Sequence, residues 1–216
     1  MINDIEWKTS NNPVEYNFAV SEMKKRVLEI KKNSACEMIW LLEHNSIFTA
    51  GTSAKLEDLK NSNVNFLYTG RGGQWTWHGP GQRVVYLMLN LKNRLQDVKA
   101  YVYALEELII LTLKDFYVYG VRINGQPGVW VKDNNGCDKI AALGIRISSW
   151  ITFHGISINV NPNLDEFNNI VPCGIKNSGV TSFYKLGKKI SLKELDISFK
   201  KKFNKVFGNE GLFKLK

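Results

Sequence analysis

The chain has 216 residues, of which 44% are hydrophobic and 23% are charged, and its formal net charge is +9 at pH 7. No apolar run approaches the ~20 residues that cross a bilayer, and no apolar signal segment opens the chain, which argues against a membrane or secreted protein. The length allows one domain over residues 1–216, and an odd count of three cysteines argues against a disulfide framework and for a reducing, cytoplasmic location.

The first half of the chain predicts one amphipathic helix and two buried strands. Asn12, Pro13 and Glu15 suit the N-cap, N1 and N3 positions of a helix. Apolar residues then recur at helical spacing, at Tyr16, Val20, Met23, Val27 and Ile30. The short apolar runs at 36–44 and 84–91 are typical of buried strands.

The next elements are a second helix and three strands. Asp97 opens a helix with a broad apolar face. Residues 127–147 predict two strands joined by a hairpin turn at 134–136, and residues 153–161 predict a further strand.

The C-terminal segment predicts a third helix with defined ends. Ser191 and Glu194 match a capping box, and Gly208 suits the end of the helix. The apolar stripe is Leu192, Leu195, Phe199, Phe203 and Val206, so most lysines of this segment are expected on its solvated face. Because helices and strands mix without regular βαβ alternation, we predict an α/β (α+β) fold with a mixed sheet flanked by helices.

The densest chemical signal is the glycine-rich run TGRGGQWTWHGPGQ at 69–82. Five glycines and a proline in this run argue against a helix or a central strand. The run matches neither the phosphate-binding loop of nucleotide hydrolases nor the dinucleotide-binding fingerprint. A mobile surface loop is one interpretation, but it would leave two tryptophans poorly hidden from water. We therefore favour a loop that cradles a ligand.

Lys139 and Cys173 each admit two interpretations. Lys139 opens the apolar segment KIAALG, so its amine either marks a sheet edge or projects towards a pocket lined by the glycine-rich run. Cys173, between a proline and a glycine, is either a small buried residue or a reactive thiol. We expect Cys36 to be buried at the head of its strand and Cys137 to be exposed in the hairpin turn.

Taken together, several motifs resemble the lipoyl(octanoyl) transferase family, the octanoyl-[acyl-carrier-protein]:protein N-octanoyltransferases. These motifs are RGGQWTWHGPGQ, PGVWV, KIAALG, FHGISINVN and PCG, and their order and spacing match the family. The likeness runs from LLEHNSIFTAG to PCG and VTS, most of the chain, although Trp77 stands where the family usually has tyrosine. The resemblance implies one octanoyltransferase catalytic domain with a fold like that of biotin and lipoate protein ligases.

The resemblance implies Cys173 as the catalytic nucleophile and Lys139 as its partner. It also implies an acyl pocket formed by Arg71, Gly72, Gly73, Gln74, Trp75, Thr76, Trp77, His78, Ala142, Leu143, Gly144, Gly155, Ile156 and Ser157. A free thiol has a pKa of about 8.5, and a neighbouring ammonium favours its charged form. A thiolate could then take an acyl group from a thioester and pass it to a lysine amine.

The resemblance also implies the partners. The donor is octanoyl-acyl carrier protein, and the acceptors are lipoyl domains of 2-oxoacid dehydrogenase complexes and the glycine cleavage H protein, in an early step of protein lipoylation. The related ligases use ATP, but a thioester is already activated, so no cofactor is expected. No metal site is expected either, because the three histidines lack zinc-ligand spacing. His78 and His154 could each polarise the thioester carbonyl or brace the loops.

Two other functions are possible on this sequence. The first is an amidotransferase that moves octanoyl groups between lipoyl domains. The second is a basic nucleic-acid-binding domain whose aromatic side chains stack on bases. Because the tryptophans of the glycine-rich run cluster with glycines rather than with lysine or arginine, we expect neither nucleic acid nor membrane as a partner. The charge of +9 suits small acidic proteins instead.

Overall fold

The computed structural model describes residues 5–133, 136–174, 179–208 and 211–213, which form ten strands and three α-helices. The strands are β1 (Glu6–Thr9), β2 (Met38–Leu42), β3 (Ile47–Ala50), β4 (Phe66–Tyr68), β5 (Trp75–His78), β6 (Gln82–Met88), β7 (Gly120–Ile123), β8 (Gln126–Asp133), β9 (Gly136–Ser148) and β10 (Ile151–Asn159). The helices are α1 (Tyr16–Lys31), α2 (Val98–Lys114) and α3 (Leu192–Phe207). Among these helices, none is long and apolar enough to cross a membrane.

The strands form two sheets. The main sheet has seven strands in the order β1-β2-β6-β10-β9-β8-β7, and the smaller sheet has the order β4-β3-β5. In the main sheet β1 and β2 are parallel, and the other neighbouring pairs are antiparallel. In the smaller sheet β3 is parallel to β4 and antiparallel to β5. The predicted mixed sheet with flanking helices is therefore confirmed.

Helices cover both faces of the main sheet, and β2 shows this directly. Ile39 and Leu41 belong to a core shared with α2 and α3, whereas Met38, Trp40 and Leu42 belong to a core shared with α1. Successive side chains of a strand point to opposite faces, so every residue of β2 is buried. This is why the strand reads as an uninterrupted apolar run.

The predicted ends of α2 and α3 agree with the structure. The Asp97 carboxylate accepts hydrogen bonds from two backbone N–H groups of the first turn of α2, at 2.8 and 3.0 Å. Ser191 and Glu194 form the predicted capping box of α3, and Gly208 is its C-cap. Each of these caps makes hydrogen bonds only within its own helical turn, so its position can be predicted from the local sequence.

The predicted start of α1 is wrong by three residues. Glu15, not Asn12, is the N-cap, and its carboxylate accepts hydrogen bonds from two N–H groups of the first turn at 2.9 and 2.6 Å. The N–H of Val14 donates to the carbonyl of Glu43 at 2.8 Å. Pairing with a distant segment therefore keeps the chain extended where the local pattern predicted helix.

Part of the glycine-rich run forms a strand that the sequence analysis did not predict. The glycines lie at both ends of the run, and Trp75–His78 between them pairs with β3 at the edge of the smaller sheet. Trp75 and Trp77 are buried there in a separate core with Phe48 and Phe167. Tryptophan and threonine favour strands, so this short segment is extended despite its neighbours.

Two cysteines lie differently from the prediction. Cys36 is exposed, because β2 begins two residues later, so its predicted burial is wrong. Cys137 is partly buried within β9 rather than exposed in a turn. Gly136 begins β9, whereas Asn134 and Asn135 of the predicted turn lie outside the described residues.

Candidate active site

A cavity of about 430 Å³ lies between the main sheet and the glycine-rich run. Most residues of the predicted acyl pocket are brought together in its wall, together with Lys139. They are Arg71, Gly73, Gln74, Trp75, Thr76, His78, Ala142, Leu143, Gly144, Gly155, Ile156 and Ser157. The wall is thus built from segments far apart in sequence that the two sheets bring together.

Gly72 and Trp77 of the predicted pocket do not line this cavity. The N–H of Gly72 donates to the carbonyl of Ile145 at 3.0 Å, which fastens the glycine-rich run to β9. The ring of Trp77 packs edge-on against Phe167, with ring centroids 5.6 Å apart, and its Nε1 donates to Ser46 Oγ at 2.9 Å. Both residues support the wall from behind.

Arg71 holds the glycine-rich run in shape. Its Nη2 donates to the carbonyl oxygens of Thr49 at 2.7 Å and Gln74 at 2.8 Å, and its Nη1 donates to the carbonyl of Gly72 at 3.0 Å. A guanidinium presents several donors in one plane, so this single side chain ties β3 to the backbone at Gly72 and Gln74. Arg71 therefore braces the loop while it lines the cavity.

The two central strands of the main sheet form a smooth side of the cavity. β9 and β10 are antiparallel, with Ala142 opposite Ser157 and Gly144 opposite Gly155. The glycine pair carries no side chain and Ala142 adds only a methyl group, whereas the side chains of Leu143 and Ile156 pack into the core shared with α2 and α3. This stretch of wall suits an alkyl chain lying along it.

Lys139 is buried in the cavity wall with only 6% of its surface exposed. Its Nζ donates to the carbonyl of Pro127 at 3.1 Å and lies 4.5 Å from the ring centroid of Trp130. The carbonyl dipole and the ring face both attract a cation. These contacts hold the amine in the cavity wall, as the pocket interpretation of Lys139 predicts.

A carboxylate on α2 fixes the backbone that supports Lys139. Glu106 Oε1 accepts a hydrogen bond from the N–H of Gly128 at 3.0 Å, and Glu106 Oε2 lies 3.2 Å from Arg122 Nε. Gly128 has φ of 128°, and a Cβ added there would lie 2.8 Å from the carbonyl of Ala141 and 3.1 Å from Cε of Lys139. Only glycine fits so close to the lysine stem.

The backbone of Cys173, the predicted nucleophile, belongs to a short turn beside the cavity. Pro172–Gly174 forms a 3₁₀ turn, and Gly174 lines the cavity with φ of 69°. Gly174 packs directly against the side-chain amide of Gln74, where an added Cβ would clash. The backbone of Cys173 belongs to this turn, whereas its side chain and residues 175–178 lie outside the described part of the structure.

Backbone hydrogen bonds place the chain after this turn beside Lys139. The N–H of Lys139 donates to the carbonyl of Gly179 at 3.0 Å, and the N–H of Thr181 donates to the carbonyl of Lys139 at 3.0 Å. The segment that follows the turn therefore pairs with β9 at the lysine itself.

A chain of buried hydrogen bonds fixes the tautomer of His78, and burial keeps its ring neutral. Gln82 Nε2 donates to Asn159 Oδ1 at 2.9 Å, and Asn159 Nδ2 donates to the carbonyl of Thr181 at 3.0 Å. Gln82 Oε1 is thus the acceptor that faces His78 Nδ1 at 2.6 Å, so Nδ1 carries the proton. Burial, assisted by neighbouring His44, lowers the pKa of His78 to about 3.

His154 lines the cavity in an unusual conformation. It lies within β10 but has φ of 58°, and 3% of its surface is exposed. Burial, with a smaller contribution from Arg71, lowers the pKa of this imidazole to about 3. Its Nδ1 has no hydrogen-bond partner among the described residues.

His44 completes the polar cluster without lining the cavity. Its Nδ1 donates to the carbonyl of Val14 at 2.7 Å, so Nε2 accepts from the hydroxyl of Tyr86 at 2.6 Å. Burial lowers the pKa of His44 as well. Within the described residues, no three His, Cys, Asp or Glu side chains converge as metal ligands.

Several residues of the cavity wall were missed by the sequence analysis. These are Tyr16, Ser53, Val84, Tyr86, Gly125, Gln126, Pro127 and Gly174. Tyr16 and Val84 match the apolar pattern of core positions, and nothing local distinguishes them from core residues. Burial raises the pKa of Tyr16 and Tyr86, so both hydroxyls stay protonated and can donate hydrogen bonds.

Comparison with known proteins identifies relatives of the chain. The family model described as the lipoyl protein ligase A/B catalytic domain matches residues 13–204. A protein named octanoyltransferase from Bartonella tribocorum is 50% identical over 214 residues, which cover 94% of this chain and 87% of the relative.

Solved structures show the same fold at low sequence identity. A bipartite lipoate protein ligase from Thermoplasma acidophilum superposes with a TM-score of 0.68 at 12% identity, covering 93% of this chain and 83% of that one. Biotin protein ligase from Aquifex aeolicus gives a TM-score of 0.50 at 20% identity, covering 78% and 73%. Both agree with the predicted ligase-like fold.

Proposed function

The chain belongs to the lipoyl protein ligase A/B catalytic-domain family and, within it, to the octanoyltransferases, and from this premise we propose its donor, acceptor and catalytic residues. The octanoyl group comes from octanoyl-acyl carrier protein, is held as a thioester on Cys173, and passes to the target lysine of a lipoyl domain. The observation that carries this proposal is that Lys139 and Gly174, the neighbour of Cys173, line one cavity.

In the first step the Cys173 thiolate attacks the carbonyl carbon of the octanoyl thioester. A bond forms between this carbon and Sγ of Cys173, and the bond to the carrier sulfur breaks. The carrier leaves as a thiolate and takes a proton from the Lys139 ammonium, which becomes neutral. An ammonium beside the thiol also favours the thiolate, and each pKa unit corresponds to about 1.4 kcal/mol.

In the second step the lysine amine of the acceptor attacks the acyl-enzyme. An amide bond forms, the bond to Sγ breaks, and the neutral Lys139 amine takes the proton that the acceptor nitrogen loses. The thiolate and the ammonium are then both restored. Because exchange between thioesters is nearly balanced and amide formation is downhill, the cycle needs no nucleotide.

The acceptor is proposed from the chemistry and from a relative. The solved Thermoplasma acidophilum ligase is described together with its E2 lipoyl domain, which supports lipoyl domains as acceptors here. Lipoyl domains of 2-oxoacid dehydrogenase complexes and the glycine cleavage H protein are the candidates. The reactive thiol needs a reducing compartment, which suits the cytoplasm.

Mass spectrometry of the intact protein tests the route. After incubation with octanoyl-carrier protein and no ATP, we expect one added octanoyl group that hydroxylamine removes. Cys173→Ser should abolish both the adduct and transfer to a lipoyl domain. Lys139→Met should slow adduct formation and raise the pH midpoint of Cys173 alkylation, because the neighbouring charge is lost.

Cys36→Ser and Cys137→Ser are the matched controls, and both should still form the adduct. An adduct on either of these cysteines, or full turnover by Cys173→Ser, would contradict the assignment. Supplying an octanoylated lipoyl domain instead of the carrier protein identifies the alternative amidotransferase, which would use that donor at the higher rate.

A further inference from the structure

We propose that Gln74 is a further catalytic residue, whose side-chain amide nitrogen donates a hydrogen bond to the carbonyl oxygen of the reacting thioester while that oxygen carries negative charge. The family resemblance implies for Gln74 only a place in the acyl pocket. The inference rests on the proposed function in one respect, because it takes the reacting carbonyl to lie beside the turn that contains Cys173.

The proposed reaction forms a negatively charged oxygen twice. When the thiolate attacks, its bond to the carbonyl carbon forms and the π electrons move onto oxygen; when the carbonyl forms again, the bond to the carrier sulfur breaks. Attack by the acceptor amine on the acyl-enzyme produces a second oxyanion. Lys139 is neutral at that stage and its lone pair takes the amine proton, so a donor that stays available is needed.

The amide of Gln74 lies against the turn of the proposed nucleophile. A Cβ added to Gly174, the residue after Cys173, would lie 2.5 Å from Gln74 Nε2. Gln74, Gly174 and Lys139 all line the one cavity. The amide is therefore beside the backbone that carries the proposed nucleophile, on the wall that also carries its proposed partner.

The backbone of Gln74 is fixed, while its amide nitrogen is available. The Gln74 carbonyl accepts hydrogen bonds from the N–H of Gly51 at 3.2 Å and from Arg71 Nη2 at 2.8 Å. Oε1 is buried without a partner among the described residues, whereas the residue as a whole is partly exposed. The amide thus presents Nε2 to the cavity, and no described group accepts a hydrogen bond from this atom.

Backbone N–H groups close to this place are already engaged. The N–H of Gly174 donates to the carbonyl of Val171 at 3.1 Å, and the N–H of Gly72 donates to Ile145 at 3.0 Å. Amide N–H groups are the usual donors to the oxyanions of acyl transfer. Of these three amides, that of Gln74 is the one whose N–H is left for the substrate.

Gln74→Met tests the donor, because methionine keeps the length of the side chain and has no N–H. We expect kcat for a small octanoyl thioester to fall about 100-fold, with KM within about threefold of the wild-type value. In single turnovers, formation of the acyl-enzyme and its aminolysis should both be slowed. A kcat within about threefold of wild type would overturn the inference.

Gln74→Glu is a second variant of nearly the same shape, with an oxygen in place of the amide nitrogen. Its carboxylate accepts hydrogen bonds and repels an oxyanion, so kcat should fall at least as far. Ser46→Ala is the matched control, because it removes the acceptor for Trp77 Nε1 behind the cavity wall. We expect this variant to keep the wild-type kcat, and a loss as large as that in Gln74→Met would contradict the assignment.

Alkylation of Cys173 by iodoacetamide separates a catalytic role from a positioning role. Displacement of iodide by the thiolate forms no oxyanion, so Gln74→Met should leave the alkylation rate and its pH midpoint unchanged. Lys139→Met should raise the midpoint. A fall in alkylation as large as the fall in kcat would show that Gln74 only positions the turn.

A trifluoromethyl ketone with the alkyl chain of octanoate measures the same contact at equilibrium. The thiolate adds reversibly to its carbonyl carbon, and the oxygen becomes an oxyanion. In Gln74→Met its inhibition constant should rise by about the factor by which kcat falls, while octanoate binds as in wild type. Equal weakening of both ligands would contradict the donor role.

The outcomes distinguish this inference from the proposed route. Acyl-enzyme formation at the wild-type rate in Gln74→Met would refute the inference and leave the route intact. Octanoyl transfer by the wild type without any acyl-enzyme would refute the route. A fall of kcat in Gln74→Met would then still support the donor, because direct attack of the acceptor amine on the thioester also forms an oxyanion.

Discussion

His78 and His154 are both buried and neutral, and neither is placed to polarise a thioester carbonyl near Lys139. The Nδ1 proton of His78 is committed to Gln82, so a neutral His78 has no N–H left to polarise a thioester carbonyl. His154 lies on β10 opposite Ile145, six residues along β9 from Lys139, and is no better placed. Of the two roles open on sequence, bracing fits His78 best.

Both histidines make the folded protein sensitive to acid. Their pKa values are lowered to about 3, so between pH 6.5 and 3 the unfolded chain binds protons that the folded chain does not. The free energy of unfolding should therefore fall as pH decreases through this window, by about 1.4 kcal/mol per pH unit for each histidine. Urea unfolding at pH 7, 6 and 5 measures this slope.

His154→Asn provides the control for that slope, because asparagine tolerates a left-handed backbone and does not titrate. In this variant the free energy of unfolding should depend on pH less steeply, by the contribution of one histidine. Stability that is constant from pH 7 to pH 5 in the wild type would contradict the prediction.

At the scale of elements, local signals were predictable and long-range pairings were not. The caps at Asp97 and Ser191 bond within their own turns, whereas α1 starts late because Val14 pairs with Glu43. The glycine-rich run is conspicuous in sequence, but Tyr86 reaches the cavity only because β6 pairs with β10. Site residues that lie on ordinary strands could therefore be identified only from the structure or from the family resemblance.

The contact between α2 and β8 gives a prediction about Lys139. Glu106→Ala removes the acceptor for the N–H of Gly128, which should cost about 1–3 kcal/mol of stability and loosen the carbonyl of Pro127 that holds Nζ. We expect kcat to fall several-fold while KM for a small octanoyl thioester changes little, because the acyl wall is intact. Steady-state kinetics and urea unfolding measure the two effects.

Glu107→Ala is the matched control on the same helix. Glu107 pairs with Arg122 at 2.6 Å and is partly exposed, so its loss should cost no more than about 1 kcal/mol. Glu106→Gln should recover most of the activity, since an amide oxygen can still accept from Gly128. Equal effects of both alanine variants would show that Glu106 has no special role.

At the scale of the whole molecule, the charge of +9 has a specific use in the proposed function. Some lysines of α3 are engaged locally, since Lys202 pairs with Asp115 at 2.7 Å and Lys200 lies 5.2 Å from the ring centroid of Trp7. We expect the remaining excess to attract the proposed acidic carrier protein over the Debye length, about 8 Å at physiological ionic strength.

Added salt should therefore lower kcat/KM for octanoyl-carrier protein much more than for a small neutral octanoyl thioester. The two donors bring the same acyl group to the same cysteine, so the chemical step is a shared reference. Steady-state rates from 50 to about 500 mM salt span the screening range. An equal decrease for both donors would show that the basic surface does not steer the carrier.

The separate core of the smaller sheet has a mechanical consequence. Trp75, Thr76 and His78 form one side of the cavity, Ala142 and Gly155 form the other, and the two sides belong to different sheets. In the proposed reaction an octanoyl chain lies between the two sides and stabilises their packing, since a ligand stabilises the state that binds it. We expect the enzyme to be most rigid while it carries the acyl group and to become more mobile between the two sheets after each transfer. The acyl group is thus a temporary part of the hydrophobic core.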